Sequence, residues 1–205
     1  MMRIVGLDEV GRGCWAGPLV AGAVILAQPI TGLTDSKLLS DKQRRQLADQ
    51  IKAEALSYGL GWVAPAFIDM YGLTLSVQRA MQQALAAVTA PYDQIIIDGN
   101  YNYLPNEPLA SFLIKADASV PEVSAASILA KVARDDFMKL AAKGFPEYGF
   151  ERHVGYGTAA HLAALKTHGV IELHRKSFKP IRALLKLDAE ERDRLMKQAG
   201  NHVAN

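Results

Sequence analysis

Short apolar runs broken by acids and glycines set the pattern of the first third of the chain. Arg3 to Asp8 and Leu19 to Ala27 have the length and content of strands. The second is apolar at odd and even positions alike, which predicts a strand covered on both faces. Gly11 to Pro18 connects them. Ser40 followed by Gln43 has capping-box spacing, and Leu47, Ile51 and Ala55 recur at i+4, so a helix is predicted from Ser40 to about Ala55. Leu56 to Val63 reads as a third strand. Val77, Met81, Leu85 and Val88 mark a second helix closed by Pro91. Strands over Gln94 to Ile97 and Phe112 to Ala116 follow, the latter leading through Asp117 and Pro121 into a long helix from Glu122 to about Leu140.

Strands early and strand–helix alternation later predict an α/β architecture, a mixed sheet flanked by helices. Residues 1–143 read as the core. Residues 144–205 read as a helical, basic C-terminal region packed on that core to make a single functional unit, with a frayed tail over Asn201 to Asn205. No internal repeat or low-complexity tract interrupts the pattern.

At 205 residues the chain can bury a large core without covalent staples. Cys14 is the only cysteine, which excludes an internal disulfide and a cysteine-built zinc site and agrees with a reducing compartment. Acid at Asp8 and Glu9 arrives before a signal-peptide core can form. The apolar stretch from Leu19 to Ala27 falls well short of the about 20 residues that cross a membrane. A soluble, cytoplasmic protein is expected, and nothing requires more than a monomer. The formal charge of +2 announces no polyanion by itself, but its distribution is uneven. Arg175, Lys176, Lys179, Arg182 and Lys186 follow His174 without an acid among them, and the acids return at Asp188, Glu190, Glu191 and Asp193. A basic surface beside an acidic pocket suits a metal-using enzyme acting on a polyanion.

The acids carry the chemistry. Asp8 and Glu9 close the first apolar run, Asp98 closes Gln94 to Ile97, and Asp117 closes Phe112 to Ala116. One such pair alone is usually a solvated turn, and Asp98-Gly99-Asn100 is a turn signal in its own right. Three apolar strands ending in acid at one sheet edge would instead gather four carboxylates. Neighbouring acids on a regular strand point to opposite faces, so Asp8 and Glu9 serve one site only where the strand ends or bends, and Gly11 and Gly13 stand at that place. Crowded carboxylates repel unless cations neutralise them, and an all-oxygen set favours Mg²⁺ or Mn²⁺ over zinc. Two such ions about 4 Å apart suit an in-line displacement at phosphorus.

Gly11-Arg12-Gly13 with Ala16 also fits the glycine pattern of a dinucleotide site, and Asp35 lies at a suitable distance. That motif demands a following helix, whereas Gly17-Pro18 and the strand-like run from Leu19 come next. His153 to Thr158 with His161 forms a compact polar and aromatic cluster. Tyr156 taken alone is by default a packed tyrosine, and the histidines lack the spacing of a zinc protease.

Taken in order, Gly6-Leu7-Asp8-Glu9-Val10-Gly11-Arg12-Gly13, Asp35-Ser36-Lys37, Asp98-Gly99-Asn100, Lys115-Ala116-Asp117, the run from Val120 to Asp135, Gly155-Tyr156-Gly157-Thr158 and His174-Arg175-Lys176-Ser177-Phe178 resemble ribonuclease HII, the bacterial type 2 ribonuclease H, over Val5 to about Arg182. The resemblance implies a ribonuclease H-like sheet and an endonuclease that cuts the RNA strand of RNA–DNA hybrids. It also implies incision 5′ of single ribonucleotides in duplex DNA, leaving 3′-hydroxyl and 5′-phosphate ends, with a role in removing ribonucleotides from DNA. Position by position, Asp8, Glu9, Asp98 and Asp117 match the catalytic, metal-binding acids, with Asp8 shared by two Mg²⁺ or Mn²⁺ ions. Gly11, Arg12 and Gly13 match the loop that reads the ribose 2′-hydroxyl, and Tyr156 matches the aromatic residue that stacks on the following sugar. Lys37, Arg175 and Lys176 are expected to hold phosphates. Ala116 departs from the family's usual glycine and Leu38 from its frequent second lysine. A DNA nuclease sharing the sheet and a non-catalytic hybrid-binding protein are the rival readings.

Overall fold

The computed structural model describes residues 2–34 and 36–186. Asp35, the acids from Asp188 onward and the expected frayed tail lie outside the described residues. Five strands, β1 (Ile4–Val10), β2 (Leu19–Leu26), β3 (Ala55–Val63), β4 (Gln94–Asp98) and β5 (Ala110–Leu113), form one sheet in the order β3-β2-β1-β4-β5. β1, β2 and β3 are an antiparallel meander, while β4 runs parallel to β1 and β5 parallel to β4. The sheet is therefore mixed, as the pattern predicts. β2 is buried along nearly its whole length, which accounts for its two-sided apolar sequence.

Helices cover both faces. α1 (Asp41–Glu54) and α3 (Pro121–Gly144) pack on one face around Val24, Ile51, Ala125, Ile128 and Leu129; α2 (Pro65–Ala86) packs on the other with Leu7, Val77, Met81, Ile95 and Ile97. The capping box at α1 forms as its spacing predicts: Gln43 N–H donates to Ser40 Oγ at 3.3 Å, and Ser40 N–H donates to Gln43 Oε1 at 3.0 Å. α4 (Phe150–His153), α5 (Ala159–His168) and helical residues 179–186 pack against the C-terminal half of α3 through a third cluster that includes Met138, Tyr148, Phe150, Leu165 and Ile181. Among the described residues no helix is long and apolar enough to cross a membrane.

Three expectations are corrected. β1 runs through both acids to Val10 instead of ending at Asp8. α2 begins at Pro65, twelve residues before the periodic stripe, because a first helical piece joins it across a kink at Gly72; it stops at Ala86, short of Pro91. The last strand covers Ala110–Leu113 and not Phe112 to Ala116. Lys115 takes a left-handed backbone (φ 59°), which cannot continue a strand, and the chain turns into a 3-10 segment over Ala116–Ala118. Asp117 thus sits on a turn beyond the strand.

Candidate active site

β1 and β4 end side by side at their carboxyl edges, where open α/β sheets place their ligands. The parallel register Leu7↔Ile97 sets Asp98 level with Asp8. A cavity of about 260 Å³ opens there, lined by Asp8, Glu9, Gly11 to Gly13, Lys37, Asp98 and Tyr156, and closed on the α3 side by Ser127 and Lys131. A roomier cavity of about 640 Å³ lies at the N-terminal end of α3, between Arg3, Pro29 and Glu122, but it gathers no cluster of acids. Chemistry, not volume, distinguishes the site.

Each acid has its own partners. Asp8 is buried and accepts from the Glu9 backbone N–H at 2.8 Å. Burial first, then the neighbouring Glu9 and Asp98 charges, push its carboxyl up to about 8 against the pull of Ser127. Glu9 is also pushed up by burial, although Arg12 opposes this through an ion pair at 3.1 Å. Its second oxygen, Oε2, is buried with no hydrogen-bond partner. Asp98 accepts from the Ala116 N–H at 2.7 Å. Asp117 does not line the cavity; it is buried beside it and meets the Lys37 ammonium at 4.0 Å. Lys37 does line the cavity, so it links the fourth acid to the other three.

Among the described residues no three His, Cys, Asp or Glu side chains form a ready-made ion site. Arg12 pairs with Glu9, and Lys37 with Asp117. The donor set nevertheless fits a hard divalent cation: the candidate ligands are all carboxylates, Glu9 Oε2 is an orphaned buried oxygen, and Asp8 is held in a place that disfavours its charge.

The Gly11 loop is built to hold one shape. Gly11 has φ 91°, and a Cβ there would stand 2.2 Å from Arg134 Nε, so both conformation and space require glycine. Arg134 is fully buried and donates to the carbonyls of Ala16, Pro18 and Val154 at 2.9–3.0 Å. Arg175 is equally buried, donating to Gly17 O and Arg12 O. Burial pulls its guanidinium down to about 10, which leaves it charged at neutral pH. Arg175, expected to hold a phosphate, is directed inward in the structure, where carbonyls of the Arg12–Gly17 segment accept from its N–H groups. Lys176, Lys179, Arg182 and Lys186 are exposed, so the outward basic surface consists of these.

Two kinds of residue escaped the pattern reading. Ser127 and Lys131 line the cavity from α3, with Lys131 paired to Asp135 at 2.8 Å and its Nζ 5.8 Å from the Tyr156 ring centroid. Arg134 left a readable signal, as the one charged residue on the buried i, i+4 stripe Ala126, Ala130, Arg134, Met138.

The ribonuclease HII family model matches residues 5–181. The chain belongs to the ribonuclease HII family. Among its members, ribonuclease HII of Bacillus cereus (strain ZK / E33L) is 46% identical over 184 residues, and that of Bacillus cytotoxicus 45% over 185, each alignment covering 89% of this chain and 71% of the relative. The ribonuclease H2 structure from Pyrococcus horikoshii OT3 superposes with a TM-score of 0.76 at 26% identity, covering 89% of this chain and 97% of that one. Membership makes the chain a metal-dependent nuclease, and the fold is that of its structural neighbours.

Proposed function

We propose that the chain hydrolyses the RNA strand of RNA–DNA hybrids and incises 5′ of single ribonucleotides in duplex DNA, in the service of ribonucleotide removal. The observation that carries this reading is the meeting, in one cavity, of Asp8, Glu9 and Asp98 with the Gly11–Gly13 loop and Tyr156. Acids suit phosphodiester chemistry; the loop and the aromatic ring suit the reading of a ribose.

In this reading Asp8, Glu9, Asp98 and Asp117 would hold Mg²⁺ or Mn²⁺, with two ions in the active complex. The ions supply neutralisation of charge at the phosphate and activation of water, leaving 3′-hydroxyl and 5′-phosphate ends. Arg12 and Lys37, which pair with Glu9 and Asp117, would meet substrate phosphates in the loaded site. Backbone groups of Gly11 to Gly13, held rigid by Arg134 and Arg175, recognise the 2′-hydroxyl that separates RNA from DNA. Tyr156, 42% exposed, offers its ring to the next sugar. Lys176 and the exposed cations after it position the duplex without reading sequence. Residues 144–205 belong with 1–143 to one working unit, a monomer acting in the cytoplasm.

The test is cleavage of a labelled DNA duplex carrying one ribonucleotide, beside an all-DNA duplex and an RNA–DNA hybrid, by wild type and Asp98→Asn with Mg²⁺ or Mn²⁺. Incision 5′ of the ribonucleotide by wild type alone is expected. Cutting of the all-DNA duplex would favour the rival nuclease, and a 2′,3′-cyclic phosphate product would overturn the mechanism.

A further inference from the structure

Three histidines are buried behind Tyr156, and their hydrogen bonds allow one proton order. The Ile171 N–H donates to His174 Nδ1 at 3.0 Å, so a neutral His174 ring carries its proton on Nε2. That nitrogen lies 3.1 Å from His161 Nε2, which must accept, and His161 therefore carries its proton on Nδ1. Nδ1 in turn donates to the Tyr156 carbonyl at 2.9 Å. A backbone donor at one end and a backbone acceptor at the other leave the chain no second direction. His153, stacked on His161 with centroids 4.4 Å apart, accepts from the Gly155 N–H and donates to Tyr148 O. His161 and His174 are fully buried, and His153 nearly so.

Tyr156 lies between Gly155 and Gly157, which leave its backbone aim undetermined by the local chain. Its aim comes from hydrogen bonds instead. The Tyr156 N–H donates to His153 O at 2.8 Å, and its carbonyl accepts from the Thr158 N–H at 3.0 Å as well as from His161. Trp15, in the loop that follows Gly13, donates its N–H to Gly155 O at 2.8 Å, and its ring centroid is 5.6 Å from that of His161. The His161 imidazole thus holds the tyrosine by its main chain, and none of the three histidines lines the cavity.

We infer that His161 is a positioning residue that aims the Tyr156 ring at substrate by donating from Nδ1 to the Tyr156 carbonyl, and that His174, ordered by the Ile171 N–H, serves only to hold the His161 proton on Nδ1. The inference rests on the proposed contact between Tyr156 and the substrate sugar. It assigns the histidines no contact with substrate and no part in proton transfer.

Asn and Gln at position 161 test it, because they carry the same amide to different places. The Asn amide nitrogen falls where Nδ1 does and can still donate to the Tyr156 carbonyl; the Gln amide falls where Nε2 does and cannot. Steady-state cleavage of the single-ribonucleotide duplex is measured for wild type, His161→Asn, His161→Gln and Tyr156→Ala, with thermal midpoints recorded for each. His161→Asn should keep KM within about threefold of wild type, and His161→Gln should raise it about tenfold with a smaller change in kcat, since displacement of a positioning group degrades binding geometry steeply. Equal KM values for the Asn and Gln variants, while Tyr156→Ala raises KM, would overturn the relay and leave the Tyr156 reading intact. An unchanged KM for Tyr156→Ala would overturn that reading instead. Should the Gln variant not fold, an Asn variant with a KM raised about tenfold or more is equally fatal to the relay.

Discussion

The backbone N–H of Ala116 donates to Asp98 Oδ1 at 2.7 Å, joining the end of β4 to the turn that carries Asp117. The turn is secured from the other side by Val120 N–H to Ala116 O at 2.8 Å and by the Ser124 hydroxyl, which donates to Asp117 O. Ala116 is fully buried and is not among the residues that line the cavity, so its methyl group fills space within the fold. The methyl group is accommodated because the bond to Asp98 uses the main chain. Ala116→Gly should therefore leave cleavage within about twofold and lower stability by about 1 kcal/mol, from backbone freedom and the lost methyl contacts. Denaturant titration and the duplex cleavage assay together check this.

Asp8→Asn should abolish cleavage yet raise the thermal midpoint when no divalent cation is added. An acid whose folded pKa of about 8 lies above its ordinary 3.8 contributes stability below pH 3.8 that is lost as pH rises through 8. At pH 8 the wild type should consequently gain more from added Mg²⁺ or Mn²⁺ than the variant does, and at pH 5 the difference should shrink. Differential scanning fluorimetry at both pH values decides it; a variant less stable than wild type at pH 8 counts against it.

Arg175 and Lys176 are adjacent and should fail differently. Arg175→Ala strips partners from the carbonyls of Arg12 and Gly17 and should cost about 3 kcal/mol or more, seen in a lowered unfolding midpoint. Lys176→Ala, at an exposed position whose backbone N–H bonds Asp69 at 2.9 Å, should leave stability unchanged and flatten the salt dependence of duplex binding. Identical effects of the two substitutions would contradict the assignment of one inward and one outward.

Gly11→Ala places a methyl against the Arg134 guanidinium and strains a backbone at φ 91°. A loss of about 1–3 kcal/mol is expected, together with weaker discrimination between duplexes with and without a ribonucleotide. The cleavage ratio between those substrates measures the second effect.

Mild acid should loosen the region around Tyr156. Burial pulls His161 and His174 down to about 4 from an ordinary 6.5, so the stability held by the neutral rings is complete above pH 6.5 and is lost as pH falls toward 4. Hydrogen exchange of the Gly155 and Tyr156 amides between pH 7 and pH 5, corrected for intrinsic rates, should show protection falling with pH.

The amino-acid sequence by itself determined the α/β class, the interior strand β2 covered on both faces, the capped start of α1 at Ser40 and the candidate acids, because periodicity and acid–glycine punctuation are local properties. It also specified the family, through motifs whose order is unambiguous. Only the tertiary structure decided that Asp117 comes from a turn and reaches the cavity through Lys37, that Arg175 points inward while Lys176 and its exposed neighbours point out, and that Arg134 and three histidines brace the loops around the site. These depend on contacts between segments separated by 13 to 163 residues or on the direction of a side chain within a basic run. Burial is decided by what packs opposite, and no local pattern carries that.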